Sequence, residues 1–125
     1  MKIKRKKQTK RSKRKVIILT DKPGLLEPIA NAIENQGIVK RVLLAKSLSQ
    51  ALSFVPKKGP YIFITDPENL AHVRKVDNQN PNMKRILLSL GSHNLSEHLF
   101  DANIDYSKEG SHEVLMGKVK EFARV

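Results

Sequence analysis

Two short apolar runs, each ended by an aspartate, constrain the fold of this chain more than any other feature. Residues 16–20 end at Asp21, and residues 61–65 end at Asp66. Continuous, β-branched-rich runs of this length are typical of strands that are buried on both faces of a parallel sheet. In such a sheet, ligands and reactive groups lie in the crevice at the carboxyl ends of the strands. The sequence therefore predicts a small acidic pocket of the kind that holds Mg²⁺ and offers an aspartate for phosphorylation.

Strand-like and helix-like segments alternate from residue 16 to the end of the chain. The predicted strands cover residues 16–19, 38–45, 61–65, 85–90 and 104–107. Five successive βα units predict an α/β fold with helices on both faces of the sheet. Because right-handed crossovers leave few topologies, we expect a doubly wound five-stranded parallel sheet with the strand order 2-1-3-4-5.

The predicted helices differ in the strength of their start and stop signals. Gly37 ends the first helix, and Ser47 is a suitable N-cap for the second. The third helix, which starts near Pro67, is expected to be short or frayed because residues 77–82 are all polar or proline. Apolar residues at helical spacing predict a fourth helix and a last one. These residues are Leu95, Leu99 and Ala102 in the fourth helix, and Val114, Leu115, Val119 and Phe122 in the last.

The net charge of +12 is concentrated at the amino end of the chain. Residues 1–15 contain ten Lys or Arg and no acid, whereas residues 16–125 contain fourteen basic and twelve acidic residues. The first segment has too little apolar surface to offset its ordering entropy, and like charges extend it. We therefore predict a disordered basic arm over residues 1–15 and a single folded domain over residues 16–125.

The basic arm predicts a polyanionic partner. Nucleic acid, an anionic membrane surface and an acidic protein all fit its charge, and a solubilising extension without a partner is the alternative. The arm lacks interleaved aromatic residues and an amphipathic period, so it specifies charge alone.

Several functional classes receive no support from the sequence. The chain has no cysteine, which excludes disulfides, Cys-based zinc sites and thiol nucleophiles. It has no apolar stretch of about 20 residues, so we expect no transmembrane segment and a cytoplasmic location. A Walker loop, a dinucleotide fingerprint and a nucleophile elbow are all missing, and the four histidines lack metal-ligand spacing. We expect no independent enzyme active site.

Five segments, taken in order, resemble the receiver domains of bacterial response regulators, the CheY-like family. They are residues 21–37, 47–52, 60–66, 86–89 and 102–108. The resemblance covers residues 16–125 and implies a flavodoxin-like fold of the receiver type.

The resemblance also implies a role for four residues. Asp66 is similar to the phosphorylated aspartate, and Asp21 is similar to the acid that binds Mg²⁺ beside it, with Asp66 as the second metal ligand. Ser89 resembles the hydroxyl residue that bonds the acyl phosphate, and Lys108 resembles the lysine that pairs with the phosphoryl oxygens. In this family the donor is a histidine kinase or phosphotransfer protein, and the receiver itself catalyses the transfer.

The chain departs from the family pattern around this site. Thr20 stands where the family has a second metal-binding acid, and Leu90 stands where it has a small residue. Asp105 occupies the position where the family has a conformationally switching aromatic residue, and Tyr106 stands one position later. Glu109 occupies the position of the family's proline after the lysine. The loop after the phosphoacceptor reads Pro67-Glu68-Asn69-Leu70 and lacks the family's glycine.

Three hypotheses for the function follow. The leading one is a pseudo-receiver that needs no phosphorylation and meets a signalling protein through its fourth helix and last strand. The second is a response regulator that accepts a phosphoryl group on Asp66 from a histidine kinase, with Mg²⁺ as its cofactor. The third is a nucleic-acid-binding accessory protein that uses the basic arm.

Overall fold

Five parallel strands form one sheet in the order β2-β1-β3-β4-β5. The computed structural model describes residues 12–89 and 99–124. The strands are β1 (Ser12–Leu19), β2 (Val39–Ala45), β3 (Tyr61–Thr65), β4 (Met83–Ser89) and β5 (Ala102–Asp105). Every neighbouring pair is parallel. The predicted fold class and strand order are confirmed.

Four helices flank the sheet in the described part of the chain: the first three each connect two strands, and the last follows β5. They are α1 (Pro23–Asn35), α2 (Leu48–Phe54), α3 (Leu70–Gln79) and α4 (Ser111–Ala123), and a 3₁₀ turn at Pro67–Asn69 precedes α3. Gly37, with a φ of 73°, follows the end of α1, as expected for a residue free to adopt the left-handed region. The Ser47 hydroxyl caps α2 by accepting a hydrogen bond from the backbone N–H of Gln50 at 3.1 Å. None of these helices is long and apolar enough to cross a bilayer.

Helices cover both faces of the sheet. Successive residues of β1 point to opposite sides, so Val16 and Ile18 pack against α1 and α4, while Ile17 and Leu19 pack against α2 and α3. All four side chains are fully buried. The continuous apolar run of β1 therefore reflects burial on two faces, as the sequence predicted.

The first strand begins earlier than predicted. Ser12 pairs with Val39, so residues 12–15 belong to β1, although the sequence placed them in the basic arm. Two basic side chains of this segment reach the carboxyl ends of helices: Arg14 Nη1 donates to the carbonyl of Phe122 at 2.7 Å, and Lys15 Nζ donates to that of Phe54 at 3.4 Å. The disorder predicted for residues 1–11 lies outside the described residues.

The expectation of a frayed third helix is wrong, because α3 stays regular to Gln79. Asn80, which is buried, stabilises the end of the helix. Its side-chain amide donates to the carbonyls of Pro56 at 2.9 Å and Gly59 at 3.1 Å, and its own carbonyl accepts from the Tyr61 hydroxyl at 2.7 Å. Tertiary hydrogen bonds thus end a helix that the polar sequence alone predicted to be loose.

The last third of the chain brings two further corrections. The fifth strand covers residues 102–105, not 104–107, so Ala102 lies on a strand and not in the predicted fourth helix. Leu99 lies in a 3₁₀ turn and is exposed, and Leu95 lies outside the described residues. In α4, Leu115 and Val119 are fully buried as predicted, but Val114 is 52% exposed.

Candidate functional site

The register between β1 and β3 fixes which residues lie next to each other where these two strands end. Leu19 lies opposite Thr65 at the end of the two strands, and the Thr65 hydroxyl donates to the carbonyl of Leu19 at 2.9 Å. The next residues, Thr20 and Asp66, therefore lie side by side at the carboxyl edge of the sheet. Thr20 is fully buried, and its backbone N–H donates to Ala45 at the end of β2.

Neutral donors bind both oxygens of the Asp66 carboxylate. The Thr20 hydroxyl donates to Oδ2 at 2.8 Å, and the Asn69 side-chain amide donates to Oδ1 at 2.7 Å. The Thr20 hydroxyl also accepts from the backbone N–H of Lys22 at 2.9 Å, which fixes its orientation. Asp66 is 9% exposed, so these bonds replace most of the hydration that the carboxylate would have in water.

Asp21 is exposed. The next residue, Lys22, forms an ion pair with Glu68. Lys22 Nζ lies 2.9 Å from Glu68 Oε1. This hydrogen-bonded ion pair raises the pKa of Lys22, and the weaker attraction of Asp66 and Asp21 acts in the same direction. Because both partners are about half exposed, the pair is expected to add little to stability. It does join the start of α1 to the 3₁₀ turn that carries Asn69.

Ser89 and Lys108 are placed differently. Ser89, the last residue of β4, lies opposite Asp105, and its carbonyl accepts from the backbone N–H of Tyr106 at 2.7 Å. Lys108 is exposed and lies three residues beyond the end of β5, in the turn that leads to α4. The family resemblance placed Lys108 at the phosphoryl oxygens, but the described lining of the pocket does not include it.

A pocket of about 480 Å³ lies beside Asp66. Its walls are the start of α1, the carboxyl ends of β3 and β4, and the start of α4. Leu25, Leu26 and Ile29 of α1 form an apolar side, while Asp66 and Ser89 form a polar end. The structure therefore brings two of the four predicted site residues, Asp66 and Ser89, into the lining of one cavity.

An aromatic pair closes another part of the pocket. The Tyr106 hydroxyl and His112 Nδ1 lie 2.8 Å apart, and their rings meet edge to face with centroids 6.4 Å apart. Burial raises the pKa of Tyr106, and the nearby Glu113 adds to this shift. His112, one of the four histidines without metal-ligand spacing, is exposed and forms part of the pocket wall.

Sequence reasoning missed Asn69 and the Tyr106–His112 pair. Asn69 follows Asp66 by three residues. At this spacing, side chains at the two ends of a turn can hydrogen-bond to each other, and this signal could have been used. The aromatic pair had no comparable signal. It depends on the turn between residues 106 and 110, which ends at Gly110 with a φ of 82°.

This edge offers Mg²⁺ one carboxylate fewer than the family pattern, because Thr20 stands in place of an acid. Mg²⁺ requires near-octahedral oxygen ligands and usually binds one or two carboxylates together with several waters. The position beside Asp66 on β1 is held by the uncharged Thr20, whose hydroxyl already donates to Asp66. Within residues 12–89 and 99–124, three or more acidic or histidine side chains converge nowhere in a geometry that could hold a metal.

We expect Thr20→Asp to make the stability of the domain depend on Mg²⁺. Without metal, the new carboxylate would face Asp66 in a buried position and lower the free energy of unfolding by about 2–4 kcal/mol. Mg²⁺ at tenfold above its Kd would restore about 1.4 kcal/mol, which is roughly 5 °C in Tm. The Tm measured with and without about 10 mM Mg²⁺, roughly a tenfold excess over Kd for a millimolar site, tests this prediction.

Thr20→Asn is the matched control, because it changes size similarly without adding charge. Neither the control nor the wild type should shift by more than about 1 °C with Mg²⁺. A wild-type shift as large as that of Thr20→Asp would show that the native edge already holds the ion.

Comparisons with known proteins agree on the fold. No protein-family model matches the chain, and no curated protein matches it in sequence. The response regulator TrrA from Thermotoga maritima, solved in complex with Mg²⁺ and BeF, superposes with a TM-score of 0.69 at 22% identity, over 87% of this chain and 98% of that one. A putative CpaE pilus assembly protein from Burkholderia thailandensis gives 0.63 at 16% identity, over 90% and 99%.

A putative pilus assembly-related protein from Burkholderia pseudomallei gives a TM-score of 0.60 at 15% identity, over 88% of this chain and 89% of that one. The chain therefore has the fold of a CheY-like receiver domain, as the sequence resemblance implied.

Proposed function

We propose that this chain is a receiver-like signalling module that acts by binding protein partners and does not depend on phosphorylation of Asp66. The observation that carries the proposal is the pair of neutral hydrogen bonds from Thr20 and Asn69 to the two oxygens of Asp66. A nucleophilic carboxylate must turn a lone pair towards phosphorus while a cation neutralises the developing charge. Here the Asp66 carboxylate already accepts hydrogen bonds from Asn69 in its own turn and from Thr20 at the end of the neighbouring strand.

Two further features support the proposal. The Lys22 ammonium group is paired with Glu68 at the rim of the pocket. Lys108, the residue that resembles the phosphoryl-binding lysine, stands in an exposed turn outside the described lining of the pocket. Phosphoryl transfer is stabilised mainly by positioned cations. The missing metal-binding acid at Thr20 and the position of Lys108 outside the described pocket lining therefore both argue for slow transfer or none.

The fold itself supports the other half of the proposal. A module with receiver topology offers partners a stable surface even when its phosphoacceptor is inactive, and a signalling protein such as a histidine kinase is the class of partner that we propose. Fold alone does not determine function, so the proposal depends on the contacts at Asp66.

The proposal predicts that the wild-type protein takes up no phosphoryl group from acetyl phosphate with Mg²⁺. Intact-mass spectrometry of the full chain measures this directly. Thr20→Asp combined with Leu90→Ala should gain a phosphoryl group, because the first substitution restores a metal-binding acid and the second restores a small residue. Adding Asp66→Asn to that variant should remove the gain and identify the acceptor.

A stoichiometric mass increase of the wild type that disappears in Asp66→Asn would overturn the proposal. The chain would then be a working response regulator, and the hydrogen bonds from Thr20 and Asn69 would have to exchange during the reaction.

A further inference from the structure

Charged residues are divided between the two edges of the sheet. At the carboxyl edge, acidic residues outnumber basic ones. The acids are Asp21, Asp66, Glu68, Asp105, Glu109 and Glu113, and the bases are Lys22, Lys46 and Lys108. The opposite, amino edge contains the strand starts and the helix ends. Its basic side chains are Arg14, Lys15, Arg41, Lys57, Lys58, Lys84, Arg85, Lys118, Lys120 and Arg124, and its acids are Glu34, Asp77, Asp101 and Glu121. Residues 12–125 contain 17 basic and 12 acidic residues, a net charge of +5, and the excess of basic residues lies at the amino edge.

Three of these basic side chains gather around one residue near the end of α4. Arg14 Nη1 donates to the carbonyl of Phe122 at 2.7 Å. Lys84 Nζ lies 5.8 Å from the centroid of the Phe122 ring, and Lys118 Nζ lies 6.0 Å from it. Arg124 is exposed two residues further along. We call these four cations the Phe122 cluster.

Local structural needs do not account for the whole charge. The carboxyl end of α4 carries about half a negative charge, which one cation would balance. Lys118 also has a weak exposed partner, Glu121, at 3.4 Å. Lys84 Nζ and Lys118 Nζ both lie within about 6 Å of the Phe122 ring centroid, so an anion supplied by a partner at this point would be attracted to both.

We propose that the Phe122 cluster binds the phosphate backbone of a nucleic-acid duplex. The arm joins the fold at Ser12, at the start of β1, two residues before Arg14. Arg14 therefore lies at the amino edge of the sheet. Lysine and arginine contacts to phosphate position a protein on a duplex without reading its sequence.

Nucleic acid fits this surface better than a membrane does. A membrane surface is usually bound by cations interleaved with apolar side chains that insert below the headgroups. Of the large exposed aliphatic side chains in the described ranges, Leu25 and Val114 lie near the carboxyl edge, and only Leu99 stands on the amino side, at the approach to the outer strand β5. The cluster itself offers charge and hydrogen-bond donors.

The test measures duplex binding of the full chain as a function of salt. A triple variant, Lys84→Gln, Lys118→Gln and Arg124→Gln, should lower the slope of log K against log salt by about 2.7 and weaken binding at 100 mM salt by about a hundredfold. Fluorescence anisotropy with two 20-base-pair DNA duplexes of unrelated sequence is the readout, and both duplexes should respond alike.

The matched control removes the same charge elsewhere. Lys46→Gln, Lys75→Gln and Lys108→Gln change exposed lysines at the carboxyl edge and on α3. At 0.1 M salt the Debye length is about 10 Å, so these distant charges should leave the slope unchanged and the affinity within about twofold. Lys84→Arg with Lys118→Arg keeps the charge and should keep the slope, which separates loss of charge from loss of folding.

Equal slopes for the triple variant, the control and the wild type would overturn the proposal and leave binding to the arm alone. Binding to vesicles that contain phosphatidylserine, without binding to either duplex, would also overturn it and identify an anionic membrane as the partner.

Discussion

Deleting residues 2–11 is expected to lower the affinity of this chain for a DNA duplex by at least about a thousandfold at 50 mM salt. The deleted segment contains seven Lys or Arg and no acid. Each neutralised phosphate releases counterions and contributes about 0.9 to the salt slope, so the deletion should reduce the slope by about 6. The intact chain, with roughly six to ten phosphate contacts, should lose about 10³ to 10⁵ in affinity between 50 and 200 mM salt.

The boundary of this deletion matters. Because β1 begins at Ser12 and pairs with Val39, removing all of residues 1–15 would also remove sheet hydrogen bonds and the contacts of Arg14 and Lys15. Deletion of residues 2–11 spares them, so the Tm of the domain should stay within about 2 °C of the intact protein.

A shuffled arm is the control for this prediction. It keeps the seven basic residues in another order and should bind as the natural arm does, since the arm carries charge without aromatic or helical patterning. Loss of binding on shuffling would mean that the arm recognises its partner through specific contacts. Resistance of the intact chain to salt would contradict the electrostatic account altogether.

The central strands and the pocket edge were predictable because their signals are local and repeated. A continuous apolar run predicts a strand covered on both faces, and two such runs ending at acids place Asp66 at the carboxyl edge. The site role of Ser89 came from the family resemblance, and the strand predicted for residues 85–90 placed it near the end of β4. These positions depend on strand period and register, which a sequence states directly.

The remaining features depend on contacts between segments far apart in the chain. The start of β1 has no apolar side chain from Ser12 to Lys15, so composition predicted disorder. The structure instead pairs this backbone with β2 and bonds Arg14 and Lys15 to carbonyls at helix carboxyl ends, which favour cations. The Asn69 hydrogen bond and the placement of Lys108 likewise depend on turn geometry that no hydrophobic pattern reports.

Asn80 gives the clearest case of a residue whose importance appears only in the structure. We expect Asn80→Ala to lower the free energy of unfolding by about 2–4 kcal/mol, or roughly 30- to 800-fold in the folding equilibrium. The side chain donates to Pro56 and Gly59, and its Oδ1 accepts from the backbone N–H of Asn82 at 3.0 Å. Alanine leaves these three backbone groups without their partner, in a site where Asn80 is only 6% exposed.

Urea denaturation measures this effect, because a change in midpoint at constant m reports stability alone. Asn78→Ala is the matched control: the same substitution two residues earlier, at an exposed position of α3, should change stability by less than about 0.5 kcal/mol. Tyr61→Phe tests the neighbouring bond. Burial raises the pKa of the Tyr61 phenol above its ordinary value, so the group donates to the carbonyl of Asn80 as a neutral hydroxyl, and its loss should cost about 1 kcal/mol.

Equal effects of Asn80→Ala and Asn78→Ala would contradict this account of how α3 ends. The order expected is a large loss for Asn80→Ala, a smaller one for Tyr61→Phe and almost none for Asn78→Ala. The same order should appear in hydrogen exchange of the backbone amides at the end of α3, because local opening there requires the bonds of Asn80 to break first.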